Sequence, residues 1–134
     1  MDLDLLPEDY AVCRLPGGAA VPDGLLAGSG GRLAGADGGV LSITWTKDEV
    51  SIICRSDRAP EQATIETPWR CFRVVGPVNL ALTGILASLI VPLAEARVNI
   101  FAFSTFDTDY LLVPAVRLSE AVTALSGAGH RIDT

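Results

Sequence analysis

Apolar residues in this chain gather in short runs and in one longer periodic stretch, and these mark its elements. Residues 9–15, 40–46, 50–56, 69–75, 99–106 and 109–114 are short apolar-rich runs, and each predicts a strand. Between 69–75 and 99–106 a helical period takes over. Leu82, Ile85, Leu86, Leu89, Leu93 and Ala96 follow a spacing of 3.6 and predict a helix over 82–96 whose apolar face meets a sheet. Thr83 or Asn79 would cap its start, and Pro92 should kink it or end its regular hydrogen bonding. A second helix should run from Ser119 to Ser126, stopped by Gly127 and Gly129, with His130-Arg131-Ile132 as a final edge strand. The first half is poorer in helix. Its first helix shrinks to Pro22–Ala27, a glycine-rich GSGGRLAGADGG linker follows, and a second is eroded to Pro60-Glu61-Gln62-Ala63.

Sliding the sequence against itself by 59 positions aligns Cys13-Arg14-Leu15 with Phe72-Arg73-Val74 and Gly17 with Gly76. The same shift places Thr46-Lys47-Asp48 on Thr105-Phe106-Asp107 and Ile52-Ile53-Cys54 on Leu111-Leu112-Val113. One constant offset over separate strand regions implies two related halves, residues 1–68 and 69–134. The order β-α-β-β opens a ferredoxin-like unit. The expected fold is therefore α+β: two ferredoxin-like (βαββαβ-type) halves, the first one reduced, packed as one compact unit. The strand Trp69–Val75 could close the first half's sheet while opening the second's.

At 134 residues with 49% apolar and 19% charged content, the chain can bury a core and is not disordered. The net charge is −6, and the basic residues stand singly rather than in a stripe, which argues against nucleic acid as a partner. The start, MDLDLLPEDY, carries acids where a signal peptide needs basic residues. Val74–Ala94 is free of charge and long enough to raise a membrane span, but Gly76, Pro77, Asn79 and Pro92 interrupt it. It reads better as a buried strand end, a turn and a buried helix. No membrane partner is expected, and the location should be cytoplasmic. Cys13, Cys54 and Cys71 form no CxxC pair and read as buried, inert thiols. The lone His130 has no partner ligand nearby, so no metal is expected.

Candidate chemistry concentrates in two turns. At Gly76–Gly84 a strand ends and a helix begins, and helix-start N–H groups can hold a carboxylate. The alternative is a plain βα turn whose glycines serve packing. Ser104–Asp109 links two apolar strands; its Asp107 is adequately explained as an Asx turn, whereas Asp109 opens a strand directly. Asp48 and Glu49, in the offset-related turn, read as a solvated hairpin tip. Trp45 and Trp69 read as core or interface packing. The single histidine and the absence of GxSxG, HExxH, Walker or GxGxxG patterns argue against an enzyme.

The words LTGILASL, PLAEARVNI and STFDTDYLLV resemble the ACT domain, and most closely the two-ACT branch that also contains the arginine-sensing proteins of the mTOR pathway. The resemblance is strongest from Trp69 to Val113 and weaker through SITWTKDEVSIIC. It implies a small-molecule sensor rather than a catalyst, with no cofactor, and a ligand site made of Gly76, Pro77, Val78, Asn79, Leu82, Thr83, Gly84, Thr105, Asp107 and Asp109. It implies an amino-acid ligand, with Asp109 choosing a basic one by analogy with the arginine sensors. Two departures stand out: Arg97 where many ACT domains have glycine, and Ala81 where they often have an acid. A free-standing module of this kind acts through an unidentified protein partner or through self-association, and a homodimer is expected. The competing reading is an interaction module that has kept the fold and lost the ligand.

Overall fold

The computed structural model describes residues 1–27, 39–76 and 84–134. Among these residues, seven strands run as β1 (Asp2–Pro16), β2 (Ser42–Trp45), β3 (Glu49–Arg55), β4 (Thr64–Val74), β5 (Phe101–Ser104), β6 (Asp109–Pro114) and β7 (Arg131–Asp133). Helices are α1 (Asp23–Leu26), α2 (Ile85–Glu95) and α3 (Leu118–Gly127), with 3-10 turns at Ser56–Arg58 and Ala115–Arg117. The chain divides into two compact units. One holds Glu8–Pro68, and the other joins Met1–Pro7 to Trp69–Thr134. Met1–Pro7 group with the C-terminal residues rather than with Glu8–Pro68. Asp2, Leu3 and Asp4 pair in parallel with Arg131, Ile132 and Asp133, and the Val75 N–H donates to the Asp2 carbonyl at 2.9 Å.

In the unit containing the C-terminus the strand order is β7-β1-β4-β6-β5. Side chains alternate across a strand, so Leu3, Phe72, Val74, Leu111 and Val113 share one face. They form one buried cluster with Leu89 and Leu93 of α2 and Ala121 and Leu125 of α3. Burying each of these leucines stabilises the unit by roughly 1.5–3 kcal/mol. The other unit builds a smaller core from Ala11, Cys13, Leu15, Leu25, Val50, Ile52 and Cys54.

The 59-residue offset reappears in hydrogen-bonded register. Ser42 lies opposite Ile53 and Phe101 opposite Leu112; Tyr10 lies opposite Arg55 and Trp69 opposite Pro114. The two 3-10 turns follow the same shift. Each turn also ends on an arginine that covers helix-end carbonyls. Arg58 donates to the carbonyls of Gly24 and Ala27, and Arg117 to those of Ala96 and Arg97. Arginine at a helix C-terminus satisfies acceptors that the helix leaves open. The sequence reading missed this pair, although Arg58 and Arg117 stand 59 apart with Glu61 and Glu120 behind them.

Several expectations need correction. Strands β1 and β4 begin at Asp2 and Thr64, earlier than the apolar runs suggested. In Asp2-Leu3-Asp4 the leucine is buried while the acids pair with Arg131 and Arg73, so the alternation holds with charges on the open side. Pro60–Ala63 is a turn closed by Ala63 N–H to Pro60 O at 3.1 Å, not a helix. Leu82 and Thr83 lie outside the described residues, and α2 starts at Ile85 behind Gly84. Pro92 does not end the helix, which continues to Glu95 with Ala96 N–H bonding Pro92 O at 3.1 Å. Proline removes the donor owed to the carbonyl four residues back, here that of Ser88. His130 Nε2 lies 2.9 Å from that oxygen; a carbonyl only accepts, so Nε2 carries the proton. The buried histidine replaces the bond that Pro92 removes. The helix then ends on Arg97 at φ 58°, with Val98 N–H reaching Leu93 O at 2.9 Å, a left-handed stop of the kind that favours glycine.

Candidate functional site

Two of the sequence-predicted elements are brought together at one end of the sheet that carries α2 and α3. Strand β4 ends at Val74 and leads into Gly76, which is exposed. The Thr108 hydroxyl, buried at 7% exposure, donates to the Val74 carbonyl at 2.6 Å. That bond fastens the Thr105–Thr108 turn to the strand end running into Gly76. The turn itself is closed by Thr105 N–H to Thr108 O at 2.8 Å and by the Thr105 hydroxyl at 3.3 Å. Its counterpart 59 residues earlier is built alike, with Thr46 N–H and hydroxyl both meeting Glu49 O.

Asp109 is half-buried and accepts a 2.5 Å bond from the Ser104 hydroxyl. Continuing the β4–β6 register by one step sets it beside Val74, on the face that carries α2. Asp107 is exposed at the turn tip next to Phe106, which is 84% exposed. Gly84 precedes α2 at φ 80°, and open space surrounds the position where a Cβ would stand. Its need for glycine is therefore the left-handed backbone rather than close packing. The first intrahelical bond runs from Ser88 N–H to Gly84 O at 2.9 Å, so the N–H groups of Ile85, Leu86 and Ala87 precede it. Pro77, Val78, Asn79, Leu82 and Thr83 lie outside the described residues.

Beside this end of the sheet is a hollow of about 470 Å³ lined by Asp2, Leu3, Asp4, Val75, Arg131, Ile132 and Asp133. None of these residues was singled out from the sequence; the D-L-D and R-I-D words at opposite ends of the chain carried the signal, but only strand pairing makes them neighbours. Arg131 holds both Asp2 carboxylate oxygens at 3.0 Å and keeps that carboxyl below its ordinary pKa. Arg73 holds Asp4 at 2.5 Å. On the helix-free face Phe103 and Tyr110 stack with ring centroids 5.0 Å apart, and partial burial raises the Tyr110 phenol. Burial pushes the Cys71 thiol up to about 12, and Cys54 is raised by its hydrogen bond with Cys13 and by burial. Such thiols are poor nucleophiles.

Comparison with known proteins gives this geometry its context. The structure of Atu0741 from Agrobacterium tumefaciens is 36% identical, covers 98% of this chain and 91% of its own, and superposes with a TM-score of 0.84. This chain belongs to the same family as Atu0741. Its residues 64–127, just under half of its length, match the family model described as ACT domain. The regulatory subunit of aspartate kinase from Thermus flavus shares the fold at 16% identity and a TM-score of 0.62, covering 96% of this chain and 97% of that one. A Vibrio cholerae protein, VC0802, described as a possible transport protein, shares it at 16% identity and 0.70, covering 95% and 88%. No curated protein matches by sequence. The residues that match the family model lie on an α+β, ferredoxin-like framework. No helix among the described residues is long and apolar enough to cross a membrane.

Proposed function

We propose that this chain is a non-catalytic regulatory protein that binds an amino acid and acts through a protein partner or through self-association, in the cytoplasm. The observation that carries the reading is the Thr108–Val74 bond, which ties the Asp109 turn to the strand end entering Gly76. A free α-amino acid suits these two kinds of group: its carboxylate would fit the helix-start N–H groups of α2, and its ammonium the Asp109 carboxylate. The ACT match over 64–127 and the fold shared with an aspartate kinase regulatory subunit support a regulatory role. The offset register supports reading Glu8–Pro68 as a second, reduced ACT half.

The test is a thermal-shift screen against the twenty amino acids, with arginine first because of the likeness to arginine sensors. Ligand at about 100 times its Kd adds roughly 2.7 kcal/mol, an upward shift of several degrees for a domain this size. One responding amino acid whose effect disappears in Asp109→Asn is the expected result; a flat screen overturns the binding reading. One observation favours a ligand-free interaction module for the Glu8–Pro68 unit. A Cβ at Gly17 would stand 2.1 Å from the Lys47 carbonyl oxygen, so the offset-related turn is filled by its own backbone, and α1 spans only four residues.

A further inference from the structure

The 59-residue offset sets Cys13 against Phe72 and Cys54 against Val113, so the fold does not require sulfur at either position. Phe72 and Val113 fill the core of the C-terminal unit, whereas the Glu8–Pro68 unit carries two thiols in the same places. Cys13 lies opposite Ile52 and Cys54 opposite Ala11, which makes the cysteines diagonal neighbours on β1 and β3. Both lie on the face covered by Leu25, Ala59 and Ala63, both are 2% exposed, and their thiols hydrogen-bond each other. A second difference stands beside them. Arg117 closes its Nε–H on Glu120 Oε1 at 2.8 Å. The offset-related Arg58 reaches the Gly24 and Ala27 carbonyls with a terminal nitrogen, but its buried Nε–H meets no acceptor among the described residues. The Arg58 charge favours a thiolate at Cys54; Asp57 opposes it but is already paired with Arg55 at 3.1 Å. A buried cationic N–H without an acceptor is unfavourable until an anion joins it.

We propose that Cys13 and Cys54 form a two-coordinate site for a soft monovalent cation, copper(I), with Arg58 as its counter-charge. The donor set selects the ion. Thiolate sulfur prefers soft ions such as copper(I), and copper(I) accepts two sulfurs in line. Zinc requires four ligands in a closed site, and among the described residues no group of three or more His, Cys, Asp or Glu could hold an ion. The geometry favours a shared ion over a direct bond between the sulfurs. Diagonal strand neighbours stand about 7–8 Å apart at Cα, beyond the ordinary disulfide range of about 4.4–6.8 Å. Two sulfurs on one ion stand farther apart than bonded ones, by about twice a metal–sulfur bond of roughly 2.3 Å. Binding replaces two S–H bonds with two Cu–S bonds and releases two protons, with no change of oxidation state. The copper(I) bis-thiolate then carries one negative charge, which the Arg58 guanidinium neutralises. Ala11, Leu15, Val50 and Ile52 keep competing water from the sulfurs. The cover is short among the described residues, since α1 has four residues and Pro60–Ala63 is a single turn.

This site goes beyond the proposed function, rests on the Glu8–Pro68 unit alone, and its failure leaves amino-acid binding untouched. The experiment is an anaerobic competition between the whole reduced chain and bicinchoninate for copper(I), with far-UV circular dichroism and Tm as folding controls. The wild type should take one equivalent of copper(I) from the chelator, rise in Tm, and show two sulfur ligands by X-ray absorption. Cys13→Ala should fold and lose the uptake, as should Cys54→Val, which carries the residue found at Val113. Cys71→Ala should keep it. Arg58→Gln should weaken binding about tenfold, the usual scale for a group behind the ligands, and Arg58→Lys should recover most of that loss. A wild type that leaves copper(I) with the chelator overturns the proposal, as do nitrogen or oxygen ligands in its X-ray absorption. So does uptake that survives in folded Cys13→Ala or Cys54→Val, or that disappears in folded Cys71→Ala. Unchanged affinity in Arg58→Gln overturns the counter-charge.

Discussion

The β2–β3 and β5–β6 hairpins are paired residue for residue in the same register, close with the same threonine turn and lead into the same 3-10 turn and arginine. What differs is what each unit hangs on that frame. The hairpin β5–β6 packs under two helices of 11 and 10 residues, while the described residues of the other unit offer the four-residue α1 and a turn at Pro60–Ala63. The β1-to-α1 turn is filled by the Lys47 carbonyl, whereas the β4 end is held by a threonine hydroxyl and opens toward Gly76. A shared frame thus carries one turn filled by its own backbone and one strand end held by a side chain. Strand pairing is a backbone property that both units share; the turns depend on side chains, and there the two differ.

This contrast can be tested by substitution. The largest effect is expected at Gly17→Ala, where the new Cβ meets backbone at 2.1 Å and unfolding free energy should fall by about 3 kcal/mol. Gly18→Ala, at φ 81° in open space, should cost only about 1 kcal/mol of left-handed strain. Denaturant titration of the two variants separates a filled turn from a merely bent one; equal losses would mean that the Lys47 contact is not what defines it.

A second test addresses helix α2 of the C-terminal unit. His130→Ala should cost about 2 kcal/mol by leaving the Ser88 carbonyl without its donor. Adding Pro92→Ala restores a backbone N–H at the right position and should recover about half of that loss. A double-mutant cycle with no coupling between the two sites would rule out the compensation. The smallest effect is a gain. Arg97→Gly should raise stability by about 1 kcal/mol by relieving φ 58°, less the greater freedom of glycine in the unfolded chain. A loss on thermal melting would show that the Arg97 side chain contributes more than its backbone strain costs.

Much of the framework could be read from the residues. Short apolar runs located the strands β1 to β6 among the described residues, the 3.6 period located α2, and cap and stop residues located α3, because each signal is carried by residues close together in the chain. The candidate site was only partly readable. Gly84 and the Thr105–Asp109 turn stood out as local patterns, and Asp109 was rightly set apart from the exposed Asp107 by the strand that follows it. The hollow beside them was missed, since Asp2 and Arg131 become partners only across 129 positions.

The sequence by itself determined the apolar runs, the internal offset and the helix-start glycine, since each follows from neighbours within a few residues or from repetition of one pattern. Only the tertiary structure decided that Met1–Pro7 join the C-terminal unit and that Thr108 ties its turn to Val74. It also decided that His130 answers for the hydrogen bond Pro92 removes. The physical reason is common to all three. Each is a hydrogen bond or strand pair closed between segments far apart in the chain, and its partner is chosen by which backbone group is left unsatisfied after the local structure has formed.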